Sequence, residues 1–203
     1  MKLIAGAFGA ALLFSAAAFG GTTAWEFTSI GSEGTDNTWV FGEVFTVNQD
    51  IFVDDLGYYD PSTGMLDTHD VGLYDASGDL LASTTITSAS SPDSAHFLYN
   101  AITPVELFAG QTYVIEGVSG IDPYAFNDGG FTVDPAISID GNNWQQGSSL
   151  VFNGTGLIND VTDGEWGANF EFTPAGVPEP ASLLLLGSGM LGLGVLKRKR
   201  RSK

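Results

Sequence analysis

The stretch VGLYDASGDLLASTTIT, residues 71–87, contains the pattern that decides the fold. Two short runs rich in apolar and β-branched residues, Val71–Tyr74 and Leu80–Thr87, flank the turn sequence Asp75-Ala-Ser-Gly78. Glycine in such a turn supplies a positive φ, and aspartate at its start caps the turn. The stretch therefore predicts two short strands joined by a tight turn.

The same alternation of strand and turn continues on both sides of this stretch. Other apolar or aromatic runs predict strands at Phe41–Val47, Phe97–Leu107, Thr112–Gly117, Ala136–Ile139, Leu150–Phe152 and Asn169–Thr173. Turn sequences separate them at 60–64, 109–111 and 127–130, and no window has a helical period. Eight or nine short strands at this spacing predict an all-β domain, namely a β-sandwich of the jelly-roll type.

The N-terminal residues have the form of a secretory signal peptide. Met1-Lys2 is followed by apolar and small residues through Phe19. Small residues at Ala16–Ala18 and at Thr22–Ala24 offer two candidate cleavage sites, so the mature chain begins between Phe19 and Trp25. We therefore assign residues 1–24 to the signal peptide, 25–176 to the central domain and 177–203 to a C-terminal tail.

The tail contains an apolar run followed by a basic end. Residues 181–196 carry no charge, and six of the seven residues 197–203 are Lys or Arg. As a helix the run would be about 24 Å long, which spans a bilayer with local thinning and snorkelling of the basic residues. The sequence predicts a single transmembrane helix whose basic end stays in the cytoplasm and leaves the domain outside.

Directly before this run stand Pro178, Glu179 and Pro180, and the two prolines keep the segment extended. The triplet, the Leu/Gly-rich run and the basic end resemble the PEP-CTERM sorting signal of Gram-negative bacteria that make exopolysaccharide. The resemblance implies export, an inner-membrane anchor, and cleavage near the motif by the membrane enzyme exosortase. The product would then pass to the cell envelope or the extracellular matrix, where exopolysaccharide is a candidate partner.

A second resemblance covers about residues 41–117. Glu43–Val53 with Leu56–Tyr59, then Val71–Ala82, then Pro104–Val114, is similar to an uncharacterised β-sandwich domain of bacterial surface and secreted proteins. The resemblance brings no catalytic residues with it. Because such domains often accompany carbohydrate-active or adhesive proteins, it implies a binding role.

The charges are divided sharply along the chain. All seven basic residues are Lys2 and members of 197–203, whereas all 24 acidic residues lie between them. The carboxylates of the central domain must therefore be solvated, hydrogen-bonded or bound to cations. Nucleic-acid binding is not expected, since phosphate contacts depend on Lys and Arg. The absence of cysteine excludes disulfides, thiol catalysis and cysteine-ligated zinc.

Calcium is the metal that these carboxylates would suit, because it prefers oxygen ligands from Asp, Asn and backbone carbonyls. Solvated turn carboxylates are the alternative interpretation, and no group has the spacing of an EF-hand loop. The candidate groups are Asp54 with Asp55, Asp122 with Asn127 and Asp128, and Asp140 with Asn142.

Sugar recognition would need aromatic rings that stack on the apolar face of a pyranose. Tyr124, Trp144 and Trp166 stand in polar, loop-like sequence contexts and are the candidates. Each of them could instead be a core aromatic, since Trp is usually largely buried.

Enzymatic activity is not expected. The two histidines, His69 and His96, are far apart, and no hydrolase, phosphate-binding or metalloprotease motif is present. We therefore expect a structural or carbohydrate-binding module. The alternatives are a glycan-active enzyme, for which the many carboxylates leave the acid–base pair undefined, and a calcium-dependent adhesin.

Overall fold

A computed structural model of the chain describes residues 21–35, 37–92, 96–158 and 167–176. Pro178–Pro180, Trp166, the predicted membrane helix 181–196 and residues 1–20 of the predicted signal peptide lie outside this part of the chain. The described part contains no helix of the length and apolarity that a bilayer crossing requires.

The described part of the chain consists of strands and their connections. In chain order its strands are β1 (Thr22–Thr23), β2 (Trp25–Glu26), β3 (Ser32–Gly34), β4 (Trp39–Val47), β5 (Ile51–Tyr59), β6 (His69–Asp75), β7 (Leu80–Ile86), β8 (Ser91–Pro92), β9 (Phe97–Leu107), β10 (Thr112–Val118), β11 (Tyr124–Phe126), β12 (Thr132–Val133), β13 (Ile137–Gln146) and β14 (Ala168–Pro174).

Ten of these strands form two five-stranded antiparallel sheets. The first sheet has the order β1-β14-β5-β9-β8 and the second β13-β4-β10-β6-β7. When β8 and β13 are set aside, the remaining eight strands have the order of a jelly roll. If these eight strands are numbered 1 to 8 in chain order, the first sheet has the order 1-8-3-6 and the second sheet has the order 2-7-4-5. The predicted all-β jelly roll is confirmed, with two short ribbons, β3–β11 and β2–β12, added to it.

Aromatic side chains join the two sheets at the centre of the core. The rings of Phe45 on β4 and Phe170 on β14 are 5.0 Å apart. The Trp25 indole stands edge-on to both, at 6.4 Å from Phe45 and 5.4 Å from Phe170. All three side chains are at most 1% exposed. Because each ring buries a large apolar area, this cluster accounts for much of the attraction between the sheets.

The predicted turn chemistry is confirmed. Gly78 and Gly110 have φ values of 92° and 77°, a region that residues with a Cβ rarely adopt. Asp75 caps the turn between β6 and β7, because its Oδ1 accepts hydrogen bonds from the amides of Ser77 and Asp79 at 2.8 and 3.0 Å.

The sequence interpretation was wrong for one segment and ended the strand of another too early. Leu150–Phe152 is not a strand. It belongs to residues 147–158, here called the strap, which cross the outer face of the second sheet, with Leu150 against Gly72 and Phe152 against Gly78. The strand predicted at Ala136–Ile139 continues to Gln146 beyond a bulge. Its polar residues masked the alternation that marks a strand.

Candidate functional site

Aromatic side chains gather at one end of the sandwich, around Phe41 of β4. The Phe41 ring lies 6.4 Å from that of Trp39 and 4.8 Å from that of Tyr124, which is itself 6.0 Å from Phe126. Trp144 lies directly opposite Phe41 in the pairing of β13 with β4, so both side chains stand on the same face of the sheet. We call these five residues the aromatic cluster. Two of the three predicted sugar-binding aromatics, Tyr124 and Trp144, therefore come together.

The aromatic cluster is partly open to solvent. Phe41 is only 4% exposed, but Trp39, Tyr124, Phe126 and Trp144 are each half-buried. Both Tyr124 and Trp144 lie in strands, not in the loops that their sequence contexts indicated. Aromatic rings that keep part of their surface in contact with solvent are suited to stacking against a flat ligand.

The third predicted aromatic, Trp166, lies outside the described residues, but its neighbour Gly167 does not. Gly167 lies against the Tyr58 hydroxyl, and Gly117 lies against the ring of the same tyrosine. Gly117 is directly opposite Phe41 in the pairing of β10 with β4. Gly167, the described residue that follows Trp166 in the chain, therefore lies at the end that bears the aromatic cluster.

Two of the predicted calcium groups lie on long strands of different sheets, one on β5 and the other on β13. Asp54 lies at a bulge in β5 and accepts a hydrogen bond from Thr173 Oγ1 at 2.8 Å, while its neighbour Asp55 is half-buried. On β13, Asp140 is exposed, whereas the Asn142 side chain is buried at 2% exposure. Within the described ranges, no group of three or more His, Asp or Glu side chains has the arrangement of a metal site.

Asp122, which belongs to another predicted calcium group, lies against a buried histidine. Its Oδ2 lies 3.1 Å from His69 Nε2 and also accepts hydrogen bonds from the backbone amides of Leu66 and Asp67, at 2.8 Å each. His69 Nδ1 lies 2.9 Å from the Val118 carbonyl, and the His69 ring stacks on Tyr58 at 4.1 Å. Oxygen atoms therefore face both ring nitrogens of His69. The sequence analysis did not pair His69 with Asp122, because the two residues are 53 positions apart in the chain.

Asp128 and Glu33 form a pair of carboxylates with opposite pKa shifts. Burial raises the pKa of Asp128, and the charge of Glu33 adds to this, whereas His96 opposes it. Burial also acts to raise the pKa of Glu33, but hydrogen bonds from Ser62 and from Tyr59, whose hydroxyl lies at 2.7 Å, outweigh it and lower the value. Two carboxyl groups whose pKa values are driven apart can serve as acid and base.

Glu116 of β10 lies under the strap and is fully buried. Its two carboxyl oxygens accept hydrogen bonds from the backbone amide and the Nδ2 of Asn153, both at 2.9 Å. Burial raises the pKa of Glu116 to about 8. The carboxyl group and Asn143 Oδ1 occupy the space that a Cβ on Gly42 would need. The sequence analysis missed this site, although the alternation of β10 does place Glu116 on one face with Val114.

Two clefts of the sandwich lie away from the aromatic cluster. One cleft of about 530 Å³ is lined by Asp75, Leu81, Phe108 and Tyr113, among others. An adjoining groove of about 380 Å³ runs between β7 and β9 and shares Leu81 with it. The cleft lies by the turn between β9 and β10, and neither contains a predicted site residue.

The fold, the charge pattern and the tail define a class of protein, the exported jelly-roll domain with a C-terminal sorting signal. The model of the PEP-CTERM protein-sorting motif matches residues 176–201, which confirms the resemblance seen at Pro178–Pro180. The chain is thus an exported protein whose membrane-anchored precursor is sorted by exosortase. It belongs to the family described as a domain of unknown function, DUF4082, whose model matches residues 28–157. No curated protein is similar to the chain.

Proposed function

We propose that this domain is a non-catalytic glycan-binding component of the cell envelope or extracellular matrix, and that the aromatic cluster is its contact surface. The observation that carries the proposal is the convergence of Tyr124 and Trp144 with Trp39 and Phe126 around buried Phe41. Four half-buried rings at one end of a rigid sandwich offer faces on which pyranose rings can stack.

The charge of the domain restricts the kind of glycan. No Lys or Arg stands between residues 3 and 196, so an anionic polysaccharide would meet only carboxylates and their repulsion. The side chains of Gln145 and Gln146, beside Trp144, are exposed and can hydrogen-bond to hydroxyl groups. The proposed ligand is therefore a neutral polysaccharide.

A binding assay with a matched pair of variants tests this proposal. The full chain, in a detergent without a sugar headgroup, is titrated with neutral and with acidic polysaccharides. Trp144→Ala should weaken binding to the neutral ligand about 30-fold, as expected for an anchoring tryptophan worth roughly 2 kcal/mol. Phe108→Ala removes an aromatic ring that is 52% exposed, outside the cluster. It should leave the affinity unchanged. Equal effects of the two variants, or no binding to any neutral polysaccharide, would contradict the proposal.

A glycan-active enzyme is the second candidate, favoured by the pair Glu33 and Asp128. Their pKa values are shifted in opposite directions, and Glu33 lies directly opposite Ala125, between Tyr124 and Phe126 of the cluster. Release of reducing ends from a bound polysaccharide, abolished by Glu33→Gln, would support this candidate over the non-catalytic module. Binding without release of reducing ends would exclude it.

A further inference from the structure

The chain leaves the sandwich at the end opposite to the aromatic cluster. The last strand, β14, finishes at Pro174, which is paired with Ile51, and the Ala175 amide donates a hydrogen bond to the Asp50 carbonyl at 2.8 Å. Ile51 is also paired with Leu107, the last residue of β9. We call the turns 48–50 and 108–111, with Ala175, the exit end.

The first strand begins at the same end. β1 runs antiparallel to β14, with Thr22 opposite Phe172 and Thr23 opposite Glu171. The chain before Thr22 is therefore directed towards Pro174. Both sequence segments that address the chain to the membrane, the predicted signal peptide and the sorting tail, join the domain at the exit end.

The tether on the C-terminal side is short. Six residues, 175–180, separate β14 from the apolar run that begins at Ala181, and two of them are prolines. Six extended residues reach at most about 20 Å. The aromatic cluster is farther away than this, because β4 runs for nine residues, roughly 26 Å, from Trp39 in the cluster to Val47 at the exit end.

We infer that the exit end of the sandwich faces the membrane in the anchored precursor, with the Phe108 ring at the lipid headgroups and the aromatic cluster directed away. Phe108 is 52% exposed and occupies the turn between β9 and β10. An apolar ring at the point nearest the tether is suited to the interface between headgroups and hydrocarbon. The domain has no basic side chain to draw another face towards lipid. This orientation does not depend on glycan binding.

The absence of cysteine makes the inference directly testable, since a single introduced cysteine can be labelled without background. Two exposed glutamines mark the two ends. Gln111 marks the exit end, because its backbone carbonyl accepts a hydrogen bond from the Val47 amide at 3.1 Å. Gln146 marks the end with the aromatic cluster, because it is paired with Trp39. The full chain carrying Gln111→Cys or Gln146→Cys is labelled with a fluorophore and reconstituted into phosphatidylcholine vesicles that contain a nitroxide-headgroup lipid.

Quenching by the nitroxide should be at least about threefold stronger for the label at position 111 than for the label at position 146, because the two sites differ by roughly 26 Å in distance along the sandwich. Ala109→Cys and Gln145→Cys form a second pair at the same two ends and should reproduce the difference, which guards against one misfolded variant. Equal quenching in both pairs, stronger quenching at positions 145 and 146, or none at either end would overturn the inference.

Discussion

Replacing the buried carboxyl of Glu116 by an amide should change the pH dependence of stability. Glu116 is fully buried, and its pKa is raised to about 8 from an ordinary value of 4.5. Between these two values the folded chain holds a proton on Glu116 that the unfolded chain has lost. The free energy of unfolding therefore falls as the pH rises from 4.5 to 8, and this group adds no further change above or below that window.

The size of the effect follows from the two pKa values. One pKa unit corresponds to about 1.4 kcal/mol, so Glu116 lowers the free energy of unfolding by on the order of 5 kcal/mol between pH 4.5 and 8. In Glu116→Gln this loss disappears. A glutamine amide cannot accept both hydrogen bonds from Asn153, which costs roughly 1 kcal/mol at every pH. The variant should thus be about 1 kcal/mol less stable than the natural chain at pH 4.5 and about 4 kcal/mol more stable at pH 8.

Urea unfolding of the full chain in non-ionic detergent, followed by tryptophan fluorescence at several pH values from 4.5 to 8, measures this crossing. Gln145→Ala changes no titratable group at an exposed position of β13 and serves as the control, for which the difference from the natural chain should not vary with pH. If the free-energy difference between Glu116→Gln and the natural chain stayed constant over this range, the reasoning about Glu116 would be refuted.

Three further predictions concern the core, the buried histidine and the N-terminus. Phe170→Ala should lower the free energy of unfolding by about 3–5 kcal/mol, because its ring fills the space between the sheets; a loss under about 1 kcal/mol in urea titrations would contradict this. Asp122→Ala should lower the free energy of unfolding by roughly 1–3 kcal/mol in the same titrations, because His69 Nε2 and the amides of Leu66 and Asp67 lose their acceptor, and His69→Gln with Asp122→Asn together should recover part of it. N-terminal sequencing of the exported protein should begin at Phe19, since Thr22–Thr23 form β1 and Ala24 is 0% exposed; a chain beginning at Trp25 would disprove it.

Local patterns predicted the strands well where one face is apolar and the turn residues are distinctive. β9 has the predicted bounds, Phe97–Leu107, and Gly78 has the positive φ that its turn requires. Local patterns failed in the second half of β13, where polar residues hide the alternation of a strand. They also failed at Leu150–Phe152, an apolar segment of the strap that packs on the sheet without forming a strand.

The candidate site was predicted only in part. Sequence context singled out Tyr124 and Trp144, but not Trp39 or Phe41, which read as ordinary strand residues. Asp122 was interpreted as a calcium candidate, and the structure places it against His69. A residue's type and immediate neighbours indicate which chemistry it can perform. They do not indicate which distant strand will lie beside it.

The sequence by itself determined that the described domain is all-β, that the tail is a sorting signal and that the region between the two ends carries no positive side chain. These properties depend on residue types and on spacings of a few residues, where backbone preferences and charge act locally. Only the tertiary structure decided that Glu116 is buried under the strap, that four half-buried rings gather near Phe41, and that the start of β1 and the end of β14 both lie at the exit end. Burial, ring contacts and strand direction arise between residues far apart in the chain, so they exist only once the two sheets have packed.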